Sequence, residues 1–393
     1  MRTVDEHAAA VLALAPSAVR VQVPLREACG LVAAAPVLAD CDSPAFDSSA
    51  MDGFAVRWAD LARGVPVALR VVDESRAGVP AALAVGAGEA IRIMTGALMP
   101  SGADTVVAQE VTTSAAGEVT ILEARGEGAH VRRRGEDARV GDEVVAQGVE
   151  LQPRHLAAAA TVGVSRVDVF RRPRVGLVST GDELVEVGTP LAPGQIYESH
   201  SYLLEGVVRA AGADPVMWGK VPDSVEALLA VLDMSAVDLV ITTGGVSVGD
   251  YDVVKEALTT RGVDFVSVAM QPGKPQGLGV VGTVPVVCLP GNPVSVAVSF
   301  EVFVAPLIRH MRGVTAAQGW SSCVAGESWA SPVGREQFMP VRWESGIVVP
   351  ATRRGSGSHL MASLSAADGW ARVGADVARV SEGDQLSFRW FTA

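Results

Sequence analysis

Basic residues are scarce in this chain, and so are aromatics, cysteines and long apolar runs. Against 44 Asp and Glu stand 32 Lys and Arg, a formal net charge of −12. That balance argues against a nucleic-acid partner, whose phosphates need a basic face. An anionic ligand must then be held by local devices, so the few basic clusters become informative. Aromatics make up 5% of the residues, and the 49% hydrophobic content rests largely on Ala and Val. The four cysteines (Cys29, Cys41, Cys288, Cys323) show no paired spacing, which argues against structural zinc and a disulfide framework. No apolar run approaches the roughly 18 residues that cross a bilayer. Asp5 and Glu6 precede a short Ala-rich segment interrupted by Pro16, whereas a secretory signal carries basic residues and a longer apolar stretch. The expectation is a soluble cytoplasmic protein with no nucleic-acid and no membrane partner.

The clearest organising feature lies at residues 237–252. Val237-Asp238-Leu239-Val240-Ile241-Thr242 reads as a strand buried on both faces of a parallel sheet. Gly244 and Gly245 then allow a sharp turn and leave backbone amides uncovered. Asp250 and Asp252 bracket a helix start. Strand, glycine turn and helix N-terminus is where open α/β sheets place ligands. Carboxylates beside an anion pocket repel the anion unless a cation or proton mediates, which points to a Mg²⁺-bridged phosphate or to acid–base chemistry. A tight turn with an N-capping Asp is the purely structural alternative.

Read from the start, residues 4–15 and 24–28 suggest helices, the second opening with Pro24. The segment 43–56 is too polar for a core strand and too apolar at Phe46, Met51 and Phe54 for a solvent loop. It reads as a pinned loop presenting Asp52 at Gly53, where another backbone can approach. Residues 65–131 alternate in short runs with Gly and Pro punctuation, the pattern of a small inserted β domain. Arg132, Arg133 and Arg134 follow, and in an extended segment at least one turns inward to an anion or to Asp137. Residues 174–305 alternate strand and helix, with strands expected at 175–179, 215–220, 237–242, 265–270, 278–282 and 286–289. Their ends carry Thr180-Gly181-Asp182-Glu183, Gly244-Gly245 and Gly291-Asn292-Pro293, where Asn292 suits an N-cap and Pro293 the first position of a helix that offers amides and the Ser295 hydroxyl at its start. Pro272 and Pro275 stiffen a loop holding a single cation, Lys274, as suits an oxyanion site. Three strand ends and the lysine loop are expected on one carboxyl edge. From Trp320 onward short strands and turns suggest an all-β C-terminal domain, with a basic, hydroxyl-rich loop from Arg353 to Leu360.

Seven motifs, taken together and in order, resemble the molybdopterin molybdenumtransferase family, which includes bacterial enzymes and the E domain of gephyrin-type proteins. They are Met51-Asp52-Gly53-Phe54-Ala55, Met94-Thr95-Gly96, Arg133-Arg134-Gly135-Glu136-Asp137, Thr180-Gly181-Asp182-Glu183-Leu184, Gly244-Gly245-Val246-Ser247-Val248-Gly249-Asp250, Pro272-Gly273-Lys274-Pro275 and Leu289-Pro290-Gly291-Asn292-Pro293. The resemblance covers nearly the whole chain. It implies a multidomain α/β plus β protein: a mixed helical N-terminal part (1–45 and 133–172), an inserted β domain (46–132), a doubly wound molybdopterin-binding domain (173–315) and a C-terminal β domain (316–393). The implied reaction inserts molybdate into adenylated molybdopterin, releasing AMP and forming molybdenum cofactor with Mg²⁺. The implied assembly is a homodimer, with a molybdopterin adenylyltransferase and cofactor-receiving molybdoenzymes as further partners.

Residues in and around the motifs take roles accordingly. Asp52, Thr95, Asp137, Glu183, Asp223, Asp252 and Lys274 are the catalytic candidates, with Asp52, Thr95 and Asp137 reaching the cleft from the partner subunit. Thr180, Gly181, Asp182, Gly244, Gly245, Ser247, Gly249, Asp250, Pro275, Gly291, Asn292, Ser295, Arg342 and Ser358 would contact the ligands. Asp182, Glu183, Asp250 and Asp252 are the Mg²⁺ candidates. Two departures stand out. Phe338-Met339-Pro340 lacks the Arg many relatives carry, which Arg342 on the same strand side would replace, and His200 stands where relatives often have Asn. A molybdopterin adenylyltransferase, resembling the central unit alone, and a non-catalytic molybdopterin-binding scaffold are the rival readings.

Overall fold

The structure, a computed structural model, describes residues 1–222, 224–233, 237–246, 252–314, 319–352 and 355–392. The chain forms two compact units. One comprises Met1–Val21, Gly30–Ala34 and Val169–Ala393, the other Gln22–Cys29 and Ala35–Asp168.

At the centre of the first unit lie β1 (Arg174–Thr180), β2 (Asp214–Val221), β3 (Leu239–Thr243), β4 (Val263–Ser267), β5 (Pro275–Val281) and β6 (Val284–Leu289). They form one sheet in the order β2-β1-β3-β6-β5-β4. Strands β2, β1, β3 and β6 run parallel, while β5 runs antiparallel to both β6 and β4. The inner parallel strands β1, β3 and β6 are largely buried and apolar because both faces are covered, whereas β2, at the edge, is mostly not buried. Val175, Leu177, Leu239, Ile241 and Val287 enter one buried cluster, and Val178, Val240, Val286 and Cys288 the opposite one. Helices α1 (His200–Ala210) and α4 (Pro293–Ser299) cover the first face, α2 (Val225–Asp233) and α3 (Val253–Thr259) the second. The chain passes from β1 outward to β2 at one edge and from β3 toward β4 at the other, so the connections diverge between β1 and β3. A crevice opens between the carboxyl ends of β1 and β3, where doubly wound sheets hold ligands.

From α4 the helix continues through a π-helical stretch, Phe300–Val304, to Met311. These 19 residues are long and apolar enough to cross a membrane, but 78% of the most apolar window is buried in the fold. This is a core helix. The opening helix, Val4–Leu12, sends Val4 and Val11 into the same core. Residues 1–21, expected with the N-terminal domain, therefore pack with the central unit.

The strand expected at 265–270 is two strands. β4 stays in the central sheet, whereas Met270–Gln271 pairs with Glu336 and Gln337 of the C-terminal sheet. In that sheet Glu336–Glu344, Ile347–Pro350, Ser321–Ala325, Gln385–Trp390 and Gly369–Val373 pair in sequence, and the last returns to the first. The ring closes into a small barrel and leaves no long open edge. Met339, Val341, Val348, Ala371 and Phe388 fill it.

The second unit holds a six-stranded sheet in the order Thr105–Ala108, Gly53–Val56, Glu89–Ile93, Val67–Ser75, Glu118–Ile121, Thr112–Ala115. The segment read as a pinned loop thus includes an interior strand, Gly53–Val56, whose Phe54 and Val56 enter the core. Glycine is required at its start. A Cβ on Gly53 would lie 2.0 Å from the Val107 carbonyl oxygen, so the neighbouring backbone does approach there. The helix expected at 24–28 is a single 3₁₀ turn, Leu25–Glu27.

Candidate active site

The loops leaving β1, β3 and β6 meet at the crevice because glycine lets their backbones touch. Gly244 sits at φ +89°, and a Cβ there would stand 2.8 Å from the Thr180 carbonyl oxygen. A Cβ on Gly291 would come 3.3 Å from the Gly244 Cα. Thr180 and Gly181, Gly244 and Gly245, and Gly291 and Asn292 line one cleft of about 990 Å³. Lys274, Pro275, Ser295 and Ser358 line the same cleft, as do Glu183 and Asp252. The carboxyl edge expected from the sequence is therefore real. The lysine loop joins it as the β4–β5 connection, an antiparallel turn.

Lys274 is one of three lysines in the chain. Its loop is fixed from both sides. The Val268 amide donates to the Lys274 carbonyl at 2.7 Å. The fully buried Gln276 donates from Nε2 to the Gly273 carbonyl and to Ser299 Oγ of α4, both at 2.7 Å. Prolines and a buried amide thus hold a cation at the cleft with little entropy left to lose on binding.

The amides at the start of α4 differ from expectation. The Val294 amide donates to the Ser358 carbonyl at 3.0 Å, and that of Val296 to Asn292 at 3.0 Å. The first turn thus anchors the Ser358 loop, while Ser295, 3% exposed, contributes to the cleft wall. The loop is braced a second time: Gln337 Nε2 donates to Ser356 Oγ at 3.0 Å, and Trp329 Nε1 donates to Gln337 Oε1 at 3.0 Å. Arg353 and Arg354 lie outside the described residues.

Carboxylates line the same cleft. Asp252 is the N-cap of α3, yet its side chain makes no capping bond, and its enclosed Oδ2 has no partner among the described residues. An enclosed carboxylate oxygen without a donor suits a ligand hydroxyl, a proton or a cation. Glu183 lines the cleft; Asp182 does not, although its carbonyl accepts Lys220 Nζ at 3.3 Å. Asp223, Ser247, Gly249 and Asp250 lie outside the described residues. Among the described residues no cluster of three or more His, Cys, Asp or Glu is arranged for a metal. Glu183 and Asp252 still offer two carboxylates, and Mg²⁺ is commonly held by one or two carboxylates with substrate phosphates and water. Its chemistry fits this donor set.

Beside them, Glu198 accepts the His200 amide at 2.7 Å and the Ser201 amide at 3.0 Å, capping α1. The His200 imidazole lines the cleft, with Nδ1 enclosed and unpartnered among the described residues. Burial pushes its pKa down, against the opposing pull of Glu198, Glu183 and the Gly291 backbone.

In the second unit, Asp52 Oδ1 accepts from the Thr95 amide at 2.7 Å and from Thr95 Oγ1 at 2.8 Å. These bonds hold the Asp52 carboxyl below the usual carboxylate range. Asp137 accepts from Ser43 Oγ at 3.3 Å. The expected inward arginine meets other carboxylates: Arg133 pairs with Asp47 at 2.7 Å and Arg134 with Asp42 at 2.5 Å.

Arg342 does not line the cleft; it points to Glu344, 3.8 Å away across solvent. Among the described residues, the arginine that does line it is Arg335, just before the same strand. Sequence reasoning also passed over Gln276 and Gln337, whose signal is faint: Gln276 lies between Pro275 and Gly277, and Gln337 between Glu336 and Phe338.

A doubly wound domain with an anion-suited cleft at its switch point, walled on one side by a β-barrel, defines a multidomain α/β ligand-transforming protein. Comparison with known proteins narrows the class. Residues 2–163 match the model of the MoeA N-terminal region (domain I and II), 176–310 a probable molybdopterin binding domain, and 323–389 the MoeA C-terminal region (domain IV). Molybdopterin molybdenumtransferase 2 of Mycobacterium tuberculosis (strain CDC 1551 / Oshkosh) is 41% identical over 98% of both chains. The Haemophilus influenzae molybdopterin molybdenumtransferase is 36% identical over 93% of both. Among solved structures, a molybdopterin biosynthesis MoeA protein from Pyrococcus horikosii superposes with a TM-score of 0.87 at 30% identity, covering 100% of this chain and 99% of that one. The chain belongs to the molybdopterin molybdenumtransferase family.

Proposed function

We propose that the protein inserts molybdate into adenylated molybdopterin, releasing AMP and yielding molybdenum cofactor. The observation that carries this reading is one cleft lined both by a fixed lysine, which makes no ion pair among the described residues, and by the Glu183 and Asp252 carboxylates. A tetrahedral dianion and a phosphoanhydride need opposite environments, and the cleft provides both. Lys274, Ser295 and Ser358 receive molybdate. The glycine turns at Gly181, Gly244, Gly245 and Gly291 let the phosphates approach the backbone. Asp252 serves the adenylate end, where its enclosed Oδ2 takes a proton or orients the group that attacks the anhydride. Glu183 and Asp252 would hold Mg²⁺, which supplies charge neutralisation for the phosphates.

The protein works as a homodimer of four-domain subunits in the cytoplasm, and Asp52, Thr95 and Asp137 of the partner subunit complete the cleft. In this reading the Asp52–Thr95 pair presents a carboxylate that stays ionised over the working pH range. An adenylating enzyme supplies the substrate, and apo-molybdoenzymes take the product. Incubation with adenylated molybdopterin and molybdate should activate an apo-molybdoenzyme and release AMP in step. ATP-dependent consumption of free molybdopterin, with no molybdate requirement, would instead establish the adenylyltransferase reading.

A further inference from the structure

We propose that Glu301 is a positioning residue that seats the C-terminal barrel on the core helix and so fixes the barrel's loop at residues 356–359 in the cleft; this rests on the function proposed above. All four residues of that loop line the cleft. Across residues 293–306 Glu301 is the only charged side chain, and it is 4% exposed. Its Oε1 accepts the Thr392 amide at 2.7 Å, and its Oε2 accepts the Thr392 hydroxyl at 2.9 Å. The backbone around it is opened to the same end. In the π-helical stretch the Ala305 amide bonds to the Phe300 carbonyl rather than to that of Glu301. The next residue, Pro306, has no N–H to offer in its place. Arg389 Nη1, from strand Gln385–Trp390, donates to the Glu301 carbonyl instead, at 3.3 Å. Side chain and backbone of one residue thus grip the same barrel segment.

Apolar burial brings barrel and helix together: Phe338 and Trp370 of the barrel share one buried cluster with Phe300 and Phe303. That force is non-directional and leaves the angle between the two unset. The contacts at Glu301 are directional. Around them Phe391 packs on Trp370 with ring centroids 5.3 Å apart, and the Arg389 guanidinium lies 4.4 Å from the Trp320 ring centroid. Burial pushes the Glu301 pKa up, against the opposing pull of Thr392 and Arg389. A hydrocarbon side chain would avoid that desolvation, so what the carboxyl contributes is geometry. The helix that carries it also begins at the cleft, where the Val294 amide donates to the Ser358 carbonyl. One helix therefore meets the C-terminal domain twice, at the cleft and at Glu301.

The test pairs amide hydrogen exchange of the full chain with steady-state AMP release from adenylated molybdopterin. Glu301→Met removes both acceptors at similar volume. Exchange across Gln385–Trp390 and residues 356–360 should quicken roughly 10–100-fold, as bonds to a charged acceptor are lost, while β3 keeps its protection. The KM for adenylated molybdopterin should rise roughly tenfold, because a displaced wall holds the substrate less well. A purely structural role would lower the active fraction and leave KM unmoved. Glu301→Gln, which keeps an acceptor for the Thr392 amide, should bring both readouts to within about threefold of wild type. Should Glu301→Met fail to fold, Thr392→Val removes one bond from the partly exposed end and should shift both readouts in the same direction. Unchanged exchange at residues 356–360, or an unchanged KM, in a folded variant would overturn the inference and leave the proposed function standing. Wild type that releases no AMP would overturn that function, and the exchange pattern alone would then decide whether Glu301 seats the barrel.

Discussion

His7 is fully buried in the core beside Phe303, ring centroids 4.6 Å apart and nearly perpendicular, with neither ring nitrogen hydrogen-bonded among the described residues. Desolvation, aided by the charge of Arg2, pushes its pKa down to about 4 from 6.5. The folded state therefore favours the neutral ring. Stability from this site is complete above about pH 6.5 and declines as pH falls toward 4, because the unfolded chain takes up the proton first. At pH 5 the loss should be on the order of 2 kcal/mol relative to pH 7.5. Urea unfolding of His7→Leu should show a shallower decline over that interval than wild type; equal slopes would contradict this account. Lys274 was legible at the same scale, since two prolines flanking one lysine form a local pattern. Arg335 and Gln276 were not, because their significance comes from a ladder and a buried amide that join distant segments.

At the scale of elements, β3, β6 and the glycine turns could be read because a strand buried on both faces leaves an unbroken β-branched run. The segment 265–270 read as one strand for the same reason. Its two ends serve different sheets, and periodicity carries no information about which partner a strand pairs with. Gly53–Val56 was obscured in the opposite way. A glycine, a preceding Asp and a length of four residues look like a loop, and only the approach of Val107 makes the glycine a strand residue. The helix starting at Pro293 was anticipated from Asn292 and Pro293. That its first amides anchor the Ser358 loop depends on the barrel, which lies far along the chain. Arg342 was assigned from strand alternation, a rule that gives the side of a strand and not what lies opposite it.

For the whole molecule, domain order and the presence of a cleft followed from collinear motifs, whereas the set of residues lining the cleft is visible only in the folded structure. The proposed sharing of sites between subunits has a direct consequence. Subunits carrying Asp52→Ala and subunits carrying Lys274→Ala, each nearly inactive alone, should recover activity when mixed, up to about a quarter of wild type if half the chains in a random mixture form heterodimers with one intact site each. Verified heterodimers that stay inactive would exclude shared sites. The central claim is that one cleft has an oxyanion wall and an adenylate wall, and AMP-release kinetics under crossed molybdate and Mg²⁺ titrations test it most directly. Lys274→Ala should raise the molybdate concentration for half-maximal rate roughly 10–100-fold and leave the Mg²⁺ dependence in place. Asp252→Asn should lower turnover and leave the molybdate dependence nearly unchanged. If Asp252→Asn shifts only the molybdate curve, or Lys274→Ala only the Mg²⁺ curve, the division of the cleft is contradicted.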